Sequence, residues 1–265
     1  SIYKTDTTHE LFGAIGYLSE INLFKKIKDN SKRFLTPKML LRYAPGHMRE
    51  ETSTTRLNHS NVFTLDRLNT NKNFETGLSA TLGFDYELQE SSKKLDFSIA
   101  QIINEKENKD MPSSSSLDQR FSDVVGYSQL EMNDNIKLSY NFAVDQNYGQ
   151  LNYNELGANL DFNPIKFDIN YLQEKEHVGD QEYFKGKINF TPNEYALFSA
   201  ETKRNLITNS AEYYNLSYEY TNDCLRAGLV YRREFYNDSE LEPEDSLMFK
   251  ITLTPFGNIN SPSFN

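Results

Sequence analysis

The feature that most constrains this chain is an alternation of apolar and polar residues with a period of two, repeated in one segment after another. In IKFDINYL, Ile165, Phe167, Ile169 and Tyr171 share one side, while Lys166, Asp168 and Asn170 take the other. In YYNLSYEY, Tyr214, Leu216, Tyr218 and Tyr220 oppose Tyr213, Asn215, Ser217 and Glu219. The same holds for Leu225, Ala227, Leu229 and Tyr231 against Arg226, Gly228 and Arg232, and for Leu247, Phe249, Ile251 and Leu253 against Met248, Lys250 and Thr252. Successive side chains of a strand point to opposite faces, so this pattern demands sheet with one apolar and one wet face.

Composition agrees with a two-faced sheet. Only 37% of residues are hydrophobic, yet the chain carries 17 Tyr and 18 Phe with no Trp. That mixture is poor for a soluble core and suits a sheet in which alternation halves the average hydrophobicity. Nothing approaches the run of about 18 apolar residues that a membrane helix needs, but a barrel strand crosses with about ten alternating ones. A net charge of -10 argues against nucleic acid as a partner. The polar start SIYKTDTTHE, without Met or signal peptide, has two readings, a mature secreted protein or, the one favoured, a fragment whose targeting signal lies upstream.

Strand-like segments are expected at 9–27, 33–45, 73–89, 95–104, 121–132, 136–146, 149–162, 165–176, 182–191, 194–204, 209–221, 224–237 and 245–256, with no amphipathic helix. The connections alternate in kind. Residues 133–135, Asn163-Pro164 and 191–193 carry tight-turn chemistry, whereas 46–72 and 105–119 are long, polar and charged. Short turns on one side and long loops on the other are the pattern of an outer-membrane up-and-down β-barrel, with Tyr and Phe near strand ends as interfacial girdles.

No catalytic, cofactor or metal constellation emerges. His9, His47, His59 and His177 lack ligand spacing and read as solvated loop residues. The carboxylates Glu240, Glu242, Glu244 and Asp245 read as a charged turn. Lys137, Lys166, Arg226, Arg232 and Arg233 have two readings, contact with anionic sugar–phosphate or wet-face charge balanced by nearby carboxylates. Cys224, after Asn222-Asp223 at a strand start, reads either as incidental or as one half of a disulfide in an oxidising compartment.

Four stretches together resemble the β-barrel domain of the LptD (OstA) family of lipopolysaccharide-assembly proteins. They are RFLTPKMLLRYAPG at 33–46, NVFTLDRLNTNKNFETGLSATLGFDYEL at 61–88, RFSDVVGYSQLEMNDNIKLSYNFAVD at 120–145 and NDCLRAGLVYRREFYNDSELEPEDSLMFKITLTPFG at 222–257. In the second, Leu65 separates Thr64 from Asp66, a departure from the family pattern. Their order spans almost the whole chain.

The resemblance implies that residues 1–265 are the C-terminal part of a larger barrel, with a periplasmic domain and earlier strands absent. It implies a conduit rather than an enzyme, taking lipopolysaccharide to the outer leaflet of a Gram-negative outer membrane. Implied partners are periplasmic bridge proteins, an LptE-like lipoprotein plug and the barrel-assembly machinery. Cys224 matches a family cysteine that bonds to the N-terminal domain; many members have a second, adjacent cysteine where this chain has Leu225. The strand at about Ser246–Phe256, with Leu247, Phe249, Ile251, Leu253, Pro255 and Phe256, corresponds to the strand closing a lateral gate. Pro255 lacks a donor, which would loosen pairing there. The competing expectations are another barrel, a porin or nutrient receptor, and a soluble all-β carbohydrate-binding module.

Overall fold

The computed structural model describes residues 13–28, 31–52, 56–68, 73–235, 244–253 and 257–260. They form one antiparallel sheet. Its strands are β1 (Ile15–Glu20), β2 (Leu23–Lys28), β3 (Ser31–Ala44), β4 (Gly77–Glu90), β5 (Lys93–Asn104), β6 (Val124–Met132), β7 (Ile136–Val144) and β8 (Leu151–Phe162). They continue as β9 (Ile165–Glu174), β10 (Gln181–Asn193), β11 (Ala196–Asn205), β12 (Ser210–Thr221), β13 (Leu225–Glu234), β14 (Glu244–Leu253) and β15 (Gly257–Asn260). From β3 onward each strand pairs with the next in sequence, an up-and-down meander. Among the described residues the sheet is open, with edges at β1/β2 and at β15.

Thirteen expected segments became fifteen strands for two local reasons. β1 and β2 pair with opposite halves of β3 in one continuous register, Glu20 facing Lys38 and Leu23 facing Leu35. Between them the Ile21 N–H donates to the Pro37 carbonyl at 3.2 Å, but Pro37 has no N–H to return. The ladder is therefore interrupted opposite that proline. β15 was not expected and lies beyond the predicted final strand.

The register puts the alternation to use. Leu82, Phe84 and Tyr86 of β4 align with Gln101, Ile99 and Phe97 of β5. Across β8–β10, Leu156 faces Tyr171 and Tyr171 faces Phe184. On this outer face large apolar side chains stay exposed, among them Leu82, Phe84, Leu156, Ile188, Phe198, Leu216, Leu229 and Phe249. An apolar face this extensive is stable only against lipid or another apolar partner. The other face is polar, with Lys38 2.6 Å from Asp85, Lys94 2.9 Å from Asp96 and Asn159 donating to Asp168 at 2.6 Å.

The turns sort as expected. β4–β5, β6–β7, β8–β9, β10–β11 and β12–β13 close in two or three residues at one end, the β8–β9 turn through a cis Asn163-Pro164 bond. The longer connections lie at the opposite end. The core also lies there, against the polar face: Met48, Leu57, Val62, Leu68, Met111 and Leu117 from the loops meet Ala100, Ile102, Val125, Ala143, Tyr153 and Leu172 from the sheet.

Candidate functional site

The described residues of the 45–76 segment (45–52, 56–68 and 73–76), with 105–123 and 175–180, fold onto the polar face of β3–β9 at the long-loop end, and three buried polar clusters hold them. The first is centred on Arg67. Its Nη1 donates to Glu75 Oε1 at 2.8 Å and its Nη2 to the Ser79 and Thr81 hydroxyls at 3.1 and 3.4 Å. Arg42 reaches up from β3 and donates to the Leu65 and Glu75 carbonyl oxygens at 2.7 and 2.6 Å. Both arginines are 1% exposed, so every one of these bonds substitutes for lost water.

The second cluster joins the first long loop to β9. Arg56 donates through Nε to Glu174 Oε1 at 2.9 Å and through Nη2 to Oε2, a bidentate pair, and its guanidinium lies 4.5 Å from the Tyr153 ring centroid. Burial would lower the Arg56 pKa, but the hydrogen bond and charge of Glu174 outweigh it and raise it. Nearby, His59 stacks on Tyr127 with centroids 4.6 Å apart, and burial lowers its pKa against a weaker pull from Asp85.

The third joins the second long loop to 175–180. Asp123 Oδ2 sits 2.9 Å from His177 Nε2 and accepts from Asn152 Nδ2 at 2.9 Å. The Asp123 N–H donates to Ser116 Oγ at 3.1 Å, and the His177 N–H to the Ser114 carbonyl at 2.9 Å. Ser116 and His177 adopt positive φ of 58° and 67°, backbone conformations costly for non-glycine residues and tolerated where tertiary contacts dictate them. Burial, with Glu107 and Asp123 nearby, raises the Asp118 pKa in the same loop.

These contacts correct several sequence expectations. His177 is 1% exposed, not solvated, because it enters a pocket made by two loops distant in sequence. His59 is half-buried. Lys137, Lys166 and Arg226 do follow the charge-balance reading, 3.3, 2.5 and 2.9 Å from Glu131, Asp161 and Glu219, and Arg232 pairs with Glu234. Arg233 is different: it lies opposite Tyr214 and Asp245 on the outer face, so it is not a wet-face cation. The motifs behind the resemblance become intelligible. Arg67 of the Asp66-Arg67 pair and Asp123 of the Ser122-Asp123 pair are centres of the clusters, and the Asn58 and Asn61 side chains cap the turn that presents Val62.

Cys224 is exposed at the short-turn end, where the Asn222 side chain accepts from the N–H groups of Cys224 and Leu225 at 3.0 and 2.8 Å. Leu247, Phe249, Ile251 and Leu253 line one face of β14. That strand is not the last: β15 pairs with its Lys250–Leu253 half. Pro255 and Phe256 lie outside the described residues.

The sequence matches the family LPS transport system D (LptD) over residues 22–193, more than half of the chain. The chain belongs to the LptD family. It is thereby a component of lipopolysaccharide transport and an outer-membrane β-barrel protein, with the apolar face toward lipid and the polar face toward the lumen. The porin, receptor and soluble-module alternatives fall away. No curated protein sequence matches the chain. Among solved structures, two engineered variants of the Rh. blastica porin align with TM-scores of 0.40, at 8% and 7% identity, each covering 94% of this chain and 93% of the porin.

Proposed function

We propose that this LptD-family chain forms part of a barrel wall along which the polar, anionic part of lipopolysaccharide travels, and that acyl chains leave at the β14 edge. The observation that supports this reading is the incomplete pairing of β14. β13 covers it from Glu244 to Leu253, whereas β15 covers only Lys250–Leu253, and no described residue pairs with Asp245–Phe249 on that side. Unsatisfied backbone edges are costly in lipid, so a stretch held by few ladder bonds is the place where a wall parts at least cost.

In this reading the chain is the C-terminal part of a larger barrel in a Gram-negative outer membrane, and the remaining strands pair with its open edges. Cys224 would bond to a periplasmic domain, consistent with its exposure at the short-turn end. Periplasmic bridge proteins, a lipoprotein plug and the barrel-assembly machinery are the partners that follow. A photoreactive residue at Phe249 should crosslink to lipopolysaccharide in cells, and one at Phe84, in the middle of the wall, should not. Equal labelling at both positions would sink the β14 exit.

A further inference from the structure

Four tyrosines form a ladder on the lumen face. The strands β4, β6, β8, β10, β12 and β14 all start at the long-loop end. Four neighbours in that series carry one inward tyrosine at their third or fourth residue: Tyr127 on β6, Tyr153 on β8, Tyr183 on β10 and Tyr213 on β12. Among the described residues, β4 and β14 carry no inward tyrosine. Tyr127 and Tyr183 lie on one row of paired residues that runs through Asn141, Glu155 and Leu172. Tyr153 sits two residues from that row toward the long-loop end. Tyr213 sits two residues from it toward the short-turn end, on the row of Lys185 and Lys203. Successive tyrosines are thus two strands apart and one two-residue step along, about 12 Å from backbone to backbone.

Each ring gives a face to a cation or an imidazole. His59 stacks on Tyr127 with centroids 4.6 Å apart and planes 17° apart. The Arg56 guanidinium lies 4.5 Å from the Tyr153 centroid, the Lys203 ammonium 4.6 Å from that of Tyr183, and the Arg232 guanidinium 5.0 Å from that of Tyr213. Three hydroxyls are tied to an acceptor beside the ring: Tyr127 to Gln129, Tyr153 to Glu155 and Tyr213 to Glu201, the last two at 2.7 Å. A core tyrosine packs its faces among apolar side chains, whereas these four give a face to a polar group that can leave. His59 and Arg56 belong to the loop cover. Lys203 and Arg232 are wall side chains 29% and 39% exposed, and their pairs with Glu212 and Glu234 are solvent-accessible and hold weakly.

We infer that the tyrosine ladder is a track of stacking platforms for sugar rings, two of which the loop cover occupies itself. The negative face of an aromatic ring that attracts a cation also attracts the C–H face of a sugar ring, whose hydrogens carry partial positive charge. The acceptors at the ring edges, Gln129, Glu155 and Glu201, then lie where sugar hydroxyls can donate to them. His59 and Arg56 take the place of the sugar while the cover is down. Lys203 and Arg232 do so on the uncovered strands. The ligand is the oligosaccharide of lipopolysaccharide, so the inference rests on the reading that this polar part travels along the wall. It adds the residues that hold the sugar and a competition between cover and cargo for the same rings.

Titration calorimetry on the full-length protein in detergent tests it, with the oligosaccharide cut from lipopolysaccharide by mild acid as the probe. His59→Ala uncovers the Tyr127 ring and should tighten binding about threefold, the scale of one aromatic stacking contact. Tyr213→Leu should weaken binding by a similar factor. Tyr213→Phe keeps the face and loses only the Glu201 hydrogen bond, so it should bind nearly as the unsubstituted protein does. Heat-modifiable migration checks that each variant is folded. Equal losses in Tyr213→Leu and Tyr213→Phe, or no tightening in His59→Ala, would overturn the inference. So would full competition by inorganic phosphate, which would assign the binding to the Lys203 and Arg232 charges. Absence of sugar binding, with lipopolysaccharide still crosslinking at Phe249, would remove the ladder and leave the β14 exit standing. Sugar binding without that crosslink would do the reverse.

Discussion

At the residue scale, Arg67 shows what a buried charge does in this protein. Its side chain is completely buried, 2.8 Å from a Glu75 side chain that is 4% exposed, and no apolar substitute keeps both partners satisfied. Removing one partner strands the other, which typically costs about 3–5 kcal/mol. Arg67→Ala should therefore loosen the 45–76 segment, read as faster proteolysis of that segment in detergent-solubilised protein with the strands intact. The double change Arg67→Met with Glu75→Leu should recover much of the loss, because replacing a buried ion pair by apolar volume is often neutral. Equal damage from the single and double changes would mean that Arg67 acts through Ser79 and Thr81 instead. None of this was legible in the sequence, where Arg67 is one charge in a polar loop. Only its place in the Asp66-Arg67 motif marked it, and a motif carries no burial.

At the element scale the sequence was far more informative. Strand positions agree with the alternation to within a few residues because burial on one face imposes a strict period of two. The loops had no comparable signal. Met48, Leu57, Val62, Leu68, Met111 and Leu117 are irregularly spaced among charges, so nothing announced that these residues turn inward. Glycines in the strands follow the sheet's close approaches. A Cβ on Gly83 would lie 2.4 Å from the Ile99 carbonyl oxygen and 2.7 Å from the Ala100 Cβ, whereas one on Gly228 would meet nothing within 4 Å. Gly83→Ala should therefore destabilise the β4–β5 pairing by about 1–3 kcal/mol, the usual range for overpacking. Gly228→Ala should have little effect. Heat-modifiable migration on gels would rank the two, and an equal shift would refute the close approach at Gly83.

At the scale of the whole molecule, the loop cover divides the sheet into two regions. The cover lies on β3–β9, and among the described residues no buried sheet residue comes from β10–β14. The uncovered region is the one that carries the incompletely paired edge. A wall that must part on one side gains from rigidity on the other, and the three polar clusters tie loops from three connections into one body. The cover should then also limit what passes through the lumen at the long-loop end. Glu174 and Asp123 are the acceptors on which two of the clusters converge, and they are 1% and 2% exposed. Glu174→Gln weakens the charge of the Arg56 pair while keeping its volume, and Asp123→Ala leaves His177 and Asn152 without their acceptor. In planar bilayers each single variant should raise ion conductance modestly. The double variant should raise it more than the sum, because either surviving cluster still holds part of the cover in place. Conductance unchanged in the double variant, with the loops shown to be released by protease, would mean that the lumen is closed by something other than this cover.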